Sequence, residues 1–234
     1  MTDRPVTLIA GIGEGLGASL ATTFAGAGYD VAGLSRSGRS AATIEAQVRA
    51  AGGSYRPLTA DLGVEAEVAA AVAPLAARIE VVVHTAHRLV VKPFADTAPA
   101  EFEAVWRTGL LGAVHVARAV LPAMLARGHG TIVLAGATAS VRAGARFAAF
   151  ASTKFALRGL AQSLAREYGP AGIHVAHLVL DGLIDEPQTA ARFGPGDGGR
   201  MDPGAVAAAC LGLVRQHPSA WTQELDLRPS TEKF

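Results

Sequence analysis

Cysteine, net charge and long apolar runs are what this chain lacks. Cys210 is the only cysteine in 234 residues, which excludes an internal disulfide and suits a reducing compartment. It falls in the apolar stretch 203–216 and reads as a small core residue rather than a nucleophile. Lys and Arg number 21 against 20 Asp and Glu, giving a net charge of +1 with no basic cluster. The electrostatic footprint of nucleic-acid binding is therefore absent. No apolar run approaches about 18 residues, so no membrane span is expected. The opening MTDRPVTLIAGIG carries early charge and a proline and lacks the uninterrupted apolar core of a secretory signal. A soluble, cytoplasmic protein is the expectation.

What is present is a half-hydrophobic composition with 18% charged residues, which suits a compact globule and argues against disorder. The length fits one domain over 1–234. Apolar runs at 6–11, 30–35, 54–58, 80–85, 130–136, 173–180 and 224–229 read as strands. Near-continuous hydrophobicity, as in VVV, marks strands covered on both faces, hence a parallel sheet. Helical patterns lie between them near 15–27, 40–51, 64–77, 99–127, 147–169 and 203–216. This alternation predicts a Rossmann-type α/β fold, a doubly wound sheet of about seven strands with helices on both faces. The polar, Gly- and Pro-rich stretch 187–204 follows the end of a strand, where such sheets bind ligands, and reads as a connector or a mobile substrate lid.

AGIGEGLG (10–17) joins the first strand to the first helix, with Gly11, Gly13, Gly15 and Gly17. Missing side chains admit phosphates to the backbone, and a helix N-terminus offers free N–H groups and a positive dipole end. A dinucleotide diphosphate fits that need. After the second strand a carboxylate would favour NAD and a basic residue NADP. Ser35 is followed by Arg36, with Arg39 close by, so NADP is favoured over NAD. Glu14, inside the loop, counts against an added phosphate.

Together these residues resemble the short-chain dehydrogenase/reductase family over residues 5 to about 217. The GxxxGxG loop at 11–17, with Leu16, is similar to the family's cofactor loop, and Asp61-Leu62 to its adenine contact. VVVHTAHR (81–88) stands where the family has an Asn-Asn-Ala-Gly turn, so Ala86 keeps its place while His84 and His87 replace an asparagine and the glycine. DGLID (181–185) resembles the Pro-Gly turn under the nicotinamide, which implies contacts from Gly182 and Leu183, with Asp181 for the proline and Glu186 for a threonine that bonds the carboxamide.

The resemblance also implies a catalytic tetrad, and most of it is replaced. Carried over by spacing, the tyrosine is Phe150, the lysine Lys154, the serine Ala137 and the asparagine Gly109. A positioned general acid is worth about 10²–10⁴ in rate, and one donor to the substrate oxygen about 10²–10³. Ordinary alcohol–ketone interconversion should be severely impaired. Tyr29, Tyr55 and Tyr168 fall elsewhere in the pattern. Thr138 and Ser140 flank the empty serine position; each either turns to substrate or bonds the local turn. His87 is a conceivable proton carrier. Lys154 retains the role of holding the nicotinamide ribose.

Two functions follow from the resemblance. One is an oxidoreductase acting on a small-molecule substrate without a protein proton donor, such as reduction of an activated C=C bond. The other is a catalytically silent nucleotide-binding subunit. Family pairing through the two long helices implies a homodimer or homotetramer, or a hetero-oligomer with an active homologue. No metal site is expected. The segment RPSTEKF (228–234) reads as a tail or an oligomer contact.

Overall fold

A computed structural model describes residues 4–196 and 198–231. Residues 1–3, Asp197 within the 187–204 stretch and the last three residues of RPSTEKF lie outside the described residues. The strands are β1 (Val6–Ala10), β2 (Asp30–Ser35), β3 (Tyr55–Thr59), β4 (Ile79–His84), β5 (Gly130–Ala135), β6 (Ile173–Leu180) and β7 (Glu224–Leu227). They form one parallel sheet in the order β3-β2-β1-β4-β5-β6-β7. The chain reverses direction along the sheet between β1 and β4, and crevices open at such a switch point.

Both faces of the sheet are covered, which explains why β1 and β6 are buried at every position. The α-helices are α1 (Leu16–Gly26), α2 (Ala41–Ala50), α3 (Glu65–Val72), α4 (Pro99–Trp106), α5 (Gly112–Arg127), α6 (Ala148–Tyr168), α7 (Pro187–Phe193) and α8 (Pro203–Val214). Phe24, Ile44 and Cys210, from α1, α2 and α8, share one core with Ile9, Val83 and Leu178 of the sheet. Val68, Val116 and Leu157, from α3, α5 and α6, pack with Leu8, Val82 and Leu134 on the other face. Each such fully buried side chain contributes about 1.5–3 kcal/mol. Cys210 is a core residue, with burial pushing its thiol up to about 12.

Three expectations gain detail. The stretch 99–127 is not one regular helix, because a π-turn, Arg107–Leu111, separates α4 from α5. One glycine lies in the irregularity and one follows it: a Cβ on Gly109 would stand 2.8 Å from Thr153 Cγ2, and one on Gly112 would stand 3.0 Å from Leu62 Cβ. The run Pro99–Arg127 is also long and apolar enough to cross a membrane by length and composition, at mean hydropathy 1.6, which counting uninterrupted apolar runs did not reveal. Half of that window is buried against the sheet and α6. Finally, the 187–204 stretch contains α7, started by Pro187 in the first turn, where proline fits. Its neck is closed by a bridge between Ile184 and Met201.

Candidate active site

Gly11 leaves β1 at φ +93°, and a Cβ there would lie 2.5 Å from the Ala86 backbone. Only glycine lets the loop pass so close to the turn after β4. The result is a cavity of about 790 Å³ along the C-terminal edge of the sheet. Gly11, Gly13, Leu16, Gly17, Ser35, Arg36, Asp61, Leu62, Ala86, His87, Thr138, Lys154, Gly182 and Leu183 all line it. Gly15 does not join them: the Glu186 side chain lies across it, with Oε2 2.5 Å from where a Cβ would be.

At the β2 end, the Ser35 hydroxyl accepts the Gly38 N–H at 3.2 Å and shapes the turn. Arg36 and Arg39 stand exposed on the rim, neither with an ion-pair partner among the described residues. Glu14 accepts a 3.5 Å hydrogen bond from the Ser40 hydroxyl. Asp61 receives the Gly63 N–H at 2.8 Å, holding the turn after β3. Tyr55 is a wall that the sequence reading missed: its ring lies against Gly33 and lines the cavity. Burial, and then the Glu45 charge, push its phenol up to about 12.

At the α6 end, the Lys154 side chain runs inward and its Nζ donates to the Ala135 carbonyl at 2.6 Å. It is 4% exposed and has no carboxylate partner among the described residues, and burial pushes its pKa down to about 8. Phe150, one turn earlier on the same face, places its ring centroid 5.6 Å from that Nζ. The ring also meets His87 edge-on at 6.0 Å. The tyrosine position is thus an apolar wall.

Around that wall the polar groups divide. Ser140 is buried, and its hydroxyl accepts the Ala137 N–H at 3.1 Å, so it is a turn residue. Thr138 lines the cavity, with a hydroxyl that bonds no other described residue. The His87 ring contacts the Thr85 carbonyl through Nδ1 at 3.2 Å, which puts its proton there. Although its edge is exposed, desolvation by the cavity walls and then the Lys154 charge push its pKa down to about 4. The ring stands against Phe150 and forms part of the cavity wall.

His84 is fully buried and points Nε2 at the Gly109 carbonyl at 3.1 Å. A carbonyl only accepts, so Nε2 bears the proton and Nδ1 is left without a partner. His84 therefore ties β4 to the π-turn through one ring nitrogen only. Desolvation, followed by the Lys154 charge, pushes its pKa down to about 3.

Beneath the cavity floor lies a cluster that no motif announced. Arg158 of α6 grips Glu224 of β7 through two 2.6 Å bonds, and Glu224 accepts from His177 Nδ1 of β6 at 3.0 Å. The His177 ring fills the space that a side chain on Gly136 would need. Asp181, in the proline position, is buried between Arg228 at 3.3 Å and Arg142 at 3.5 Å.

Glycines at a helix N-terminus, guanidinium groups at the end of β2 and a buried lysine at the far end fit a dinucleotide, with Glu186 and Glu14 the discordant groups among the described residues. Comparison with known proteins agrees. The family model described as short chain dehydrogenase matches residues 5–192. D-threitol dehydrogenase of Mycolicibacterium smegmatis is 28% identical over 224 residues, covering 91% of this chain and 86% of that protein. A short-chain dehydrogenase structure from Rhodopseudomonas palustris is 36% identical with a TM-score of 0.84, covering 98% of this chain and 100% of its own. A metagenomic short-chain oxidoreductase in complex with NADP is 26% identical, again at TM-score 0.84, with 98% and 100% covered. The chain belongs to the short-chain dehydrogenase/reductase family, whose members are NAD(P)-dependent oxidoreductases acting on small molecules.

Proposed function

We propose that this chain is an NADP-preferring oxidoreductase that reduces an activated C=C bond without a proton donor from the protein. The observation that carries this reading is the pairing of a buried Lys154 with a phenyl ring where the family's proton donor stands. The cofactor supplies hydride when bound. Gly11, Gly13, Leu16 and Gly17 would hold its diphosphate, Arg36 and Arg39 the ribose phosphate, Asp61 and Leu62 the adenine, and Lys154, Ala86, Gly182 and Leu183 the nicotinamide half. The NADP-bound metagenomic relative supports that preference, as do two guanidinium groups with no carboxylate spent on them.

On the substrate side, Phe147, Phe150 and Phe193 give an apolar pocket with the Thr138 hydroxyl as its unspent donor. An enone suits it. With a cofactor bound as hydride donor to the β-carbon, the Thr138 hydroxyl would hydrogen-bond the oxygen of the resulting enolate, and water would protonate its α-carbon. On a simple ketone the charge would stay localised on oxygen, a far stronger base than an enolate, and Phe150 supplies no acid to neutralise it as it develops.

A second reading, a silent nucleotide-binding subunit, is supported by the further replacement of the serine and asparagine positions by Ala137 and Gly109. Trp106, Leu125 and Phe155, exposed on α4, α5 and α6, support an oligomer through these helices in either case. The 187–204 segment would serve as the substrate lid, and 1–234 as one domain.

Titration with NADPH and NADH, followed by nicotinamide fluorescence, tests the reading. NADPH should bind more tightly, enones should turn over and simple ketones should not. Binding of neither nucleotide, even after the Glu186 substitutions below, would overturn both readings.

A further inference from the structure

The first turn of α1 should present free N–H groups to a phosphate, and one of them is already taken. Leu16 N–H donates to Glu186 Oε2 at 3.3 Å, across 170 positions of sequence. No side chain of its own caps the helix: the N-cap is Gly15, at φ +90°. The Glu186 chain lies flat on that glycine, with its Cβ 2.6 Å and Oε2 2.5 Å from where a Gly15 Cβ would be. A carboxylate on the positive end of an 11-residue helix is the same chemistry that recruits a phosphate. The carboxyl is half-buried and its pKa is raised by desolvation, opposed by the Leu16 bond.

The placement of Glu186 is built into the fold. It is the residue immediately before α7, where its carbonyl accepts the Ala190 N–H at 3.0 Å. Just before it, Asp185 N–H bonds the Met201 carbonyl at 2.9 Å and Met201 N–H bonds the Leu183 carbonyl at 2.8 Å. These bonds close the neck of the segment. At its other end α7 reaches the cavity wall, where Arg192 donates to the Leu89 carbonyl at 3.2 Å. The segment therefore spans the cavity, and Glu186 is its contact with the glycine loop.

We propose that Glu186 is the chain's own occupant of the diphosphate position, so that residue 186 sets cofactor affinity: its carboxylate must leave the α1 N-terminus before a diphosphate can be held there. This rests on reading the cavity as a dinucleotide site. Two anions cannot share one N–H, and like charges at that separation repel. A neutral side chain at 186 removes the competition and leaves the glycine loop intact.

The test measures NADPH affinity by fluorescence for the parent chain, Glu186→Gln and Glu186→Thr, together with thermal unfolding of each protein without nucleotide. Both variants should bind NADPH about tenfold or more tightly than the parent, and both should melt lower without nucleotide because the α1 N-terminus loses a negative charge. Equal affinities in all three proteins would overturn the proposal while leaving the dinucleotide site standing. Absence of binding in all three would overturn the proposal and the dinucleotide reading together. Unchanged melting of both variants would show that the Glu186 carboxylate adds no free energy at the α1 N-terminus and would overturn the proposal on its own.

Discussion

Thr153 of α6 and Gly109 of the π-turn are fitted to each other: Thr153 Cγ2 lies 2.8 Å from where a Gly109 Cβ would stand. The threonine cannot simply turn away, because its hydroxyl donates to the Ala149 carbonyl at 3.0 Å. The missing asparagine is therefore a packing fact as well as a chemical one. Gly109→Asn should destabilise the chain by about 1–3 kcal/mol, the range for overpacking a tight core. Thr153→Ala in the same chain should recover most of it. Urea unfolding of both variants checks this, and a Gly109→Asn chain as stable as the parent would contradict it.

Phe150→Tyr alone should not produce a ketone reductase. The new phenol would stand near Lys154, but the Lys154 ammonium is turned to the Ala135 carbonyl, and Ala137 leaves Thr138 as the lone hydroxyl where the family pairs a serine with the phenol. Adding Ala137→Ser supplies that serine. The double variant should exceed either single one by about 10² or more in kcat/KM on a simple ketone. The two effects will not add, because such groups act as a unit. Robust ketone turnover by Phe150→Tyr alone would show that the serine position matters less than argued.

Lys154 is a buried cation without a counter-charge among the described residues, so it should cost stability and confer binding. Its native pKa, about 8, lies below the unfolded value of 10.5. Below pH 8 the lysine is charged in both states and the full cost of burial is present. Between pH 8 and 10.5 the unfolded state holds more protons, so stability rises with pH. Lys154→Met should raise stability at pH 7 by about 1–2 kcal/mol and remove that rise. It should also weaken NADPH binding at least tenfold. A Met variant that binds NADPH normally would refute a role for Lys154 at the ribose.

The fold was legible because its signals are local. Runs such as Val81-Val82-Val83 announce strands buried on both faces, and each strand falls within a residue or two of its expected bounds. The glycine loop was legible for the same reason: β1, the glycines and α1 are contiguous. What escaped is what depends on distant pairs. Glu186 meets Leu16, and His177 and Arg158 converge on Glu224, through contacts that no window of sequence contains. The π-turn left a faint trace in the two glycines of RTGLLG, but only Thr153 and Leu62 say why those positions are bare. The helix α7 could have been found, since Pro187 followed by Gln-Thr-Ala-Ala-Arg is a fair helix start hidden by its glycine-rich surroundings.

The buried histidines should make the chain acid-labile well above the pH at which its carboxylates titrate. His84 has a native pKa of about 3, set first by desolvation and then by the Lys154 charge, against 6.5 unfolded. His177 is lowered as well, by desolvation that its bond to Glu224 only partly offsets. Below pH 6.5 the unfolded chain takes up protons that these native side chains refuse. Stability is therefore fully present above pH 6.5 and falls as pH drops. Each histidine refusing a proton contributes about 1.4 kcal/mol per pH unit over its window. For His84 that window runs from 6.5 down to about 3. His84→Asn keeps a donor for the Gly109 carbonyl and removes the titrating group, so its stability should fall less steeply between pH 6.5 and 5, by about one proton's worth of slope. Urea midpoints of parent and variant at pH 7.5, 6 and 5 measure the difference. Parallel pH profiles for the two proteins would mean that His84 takes up its proton in the native state, and that its burial beside Lys154 is looser than the structure shows.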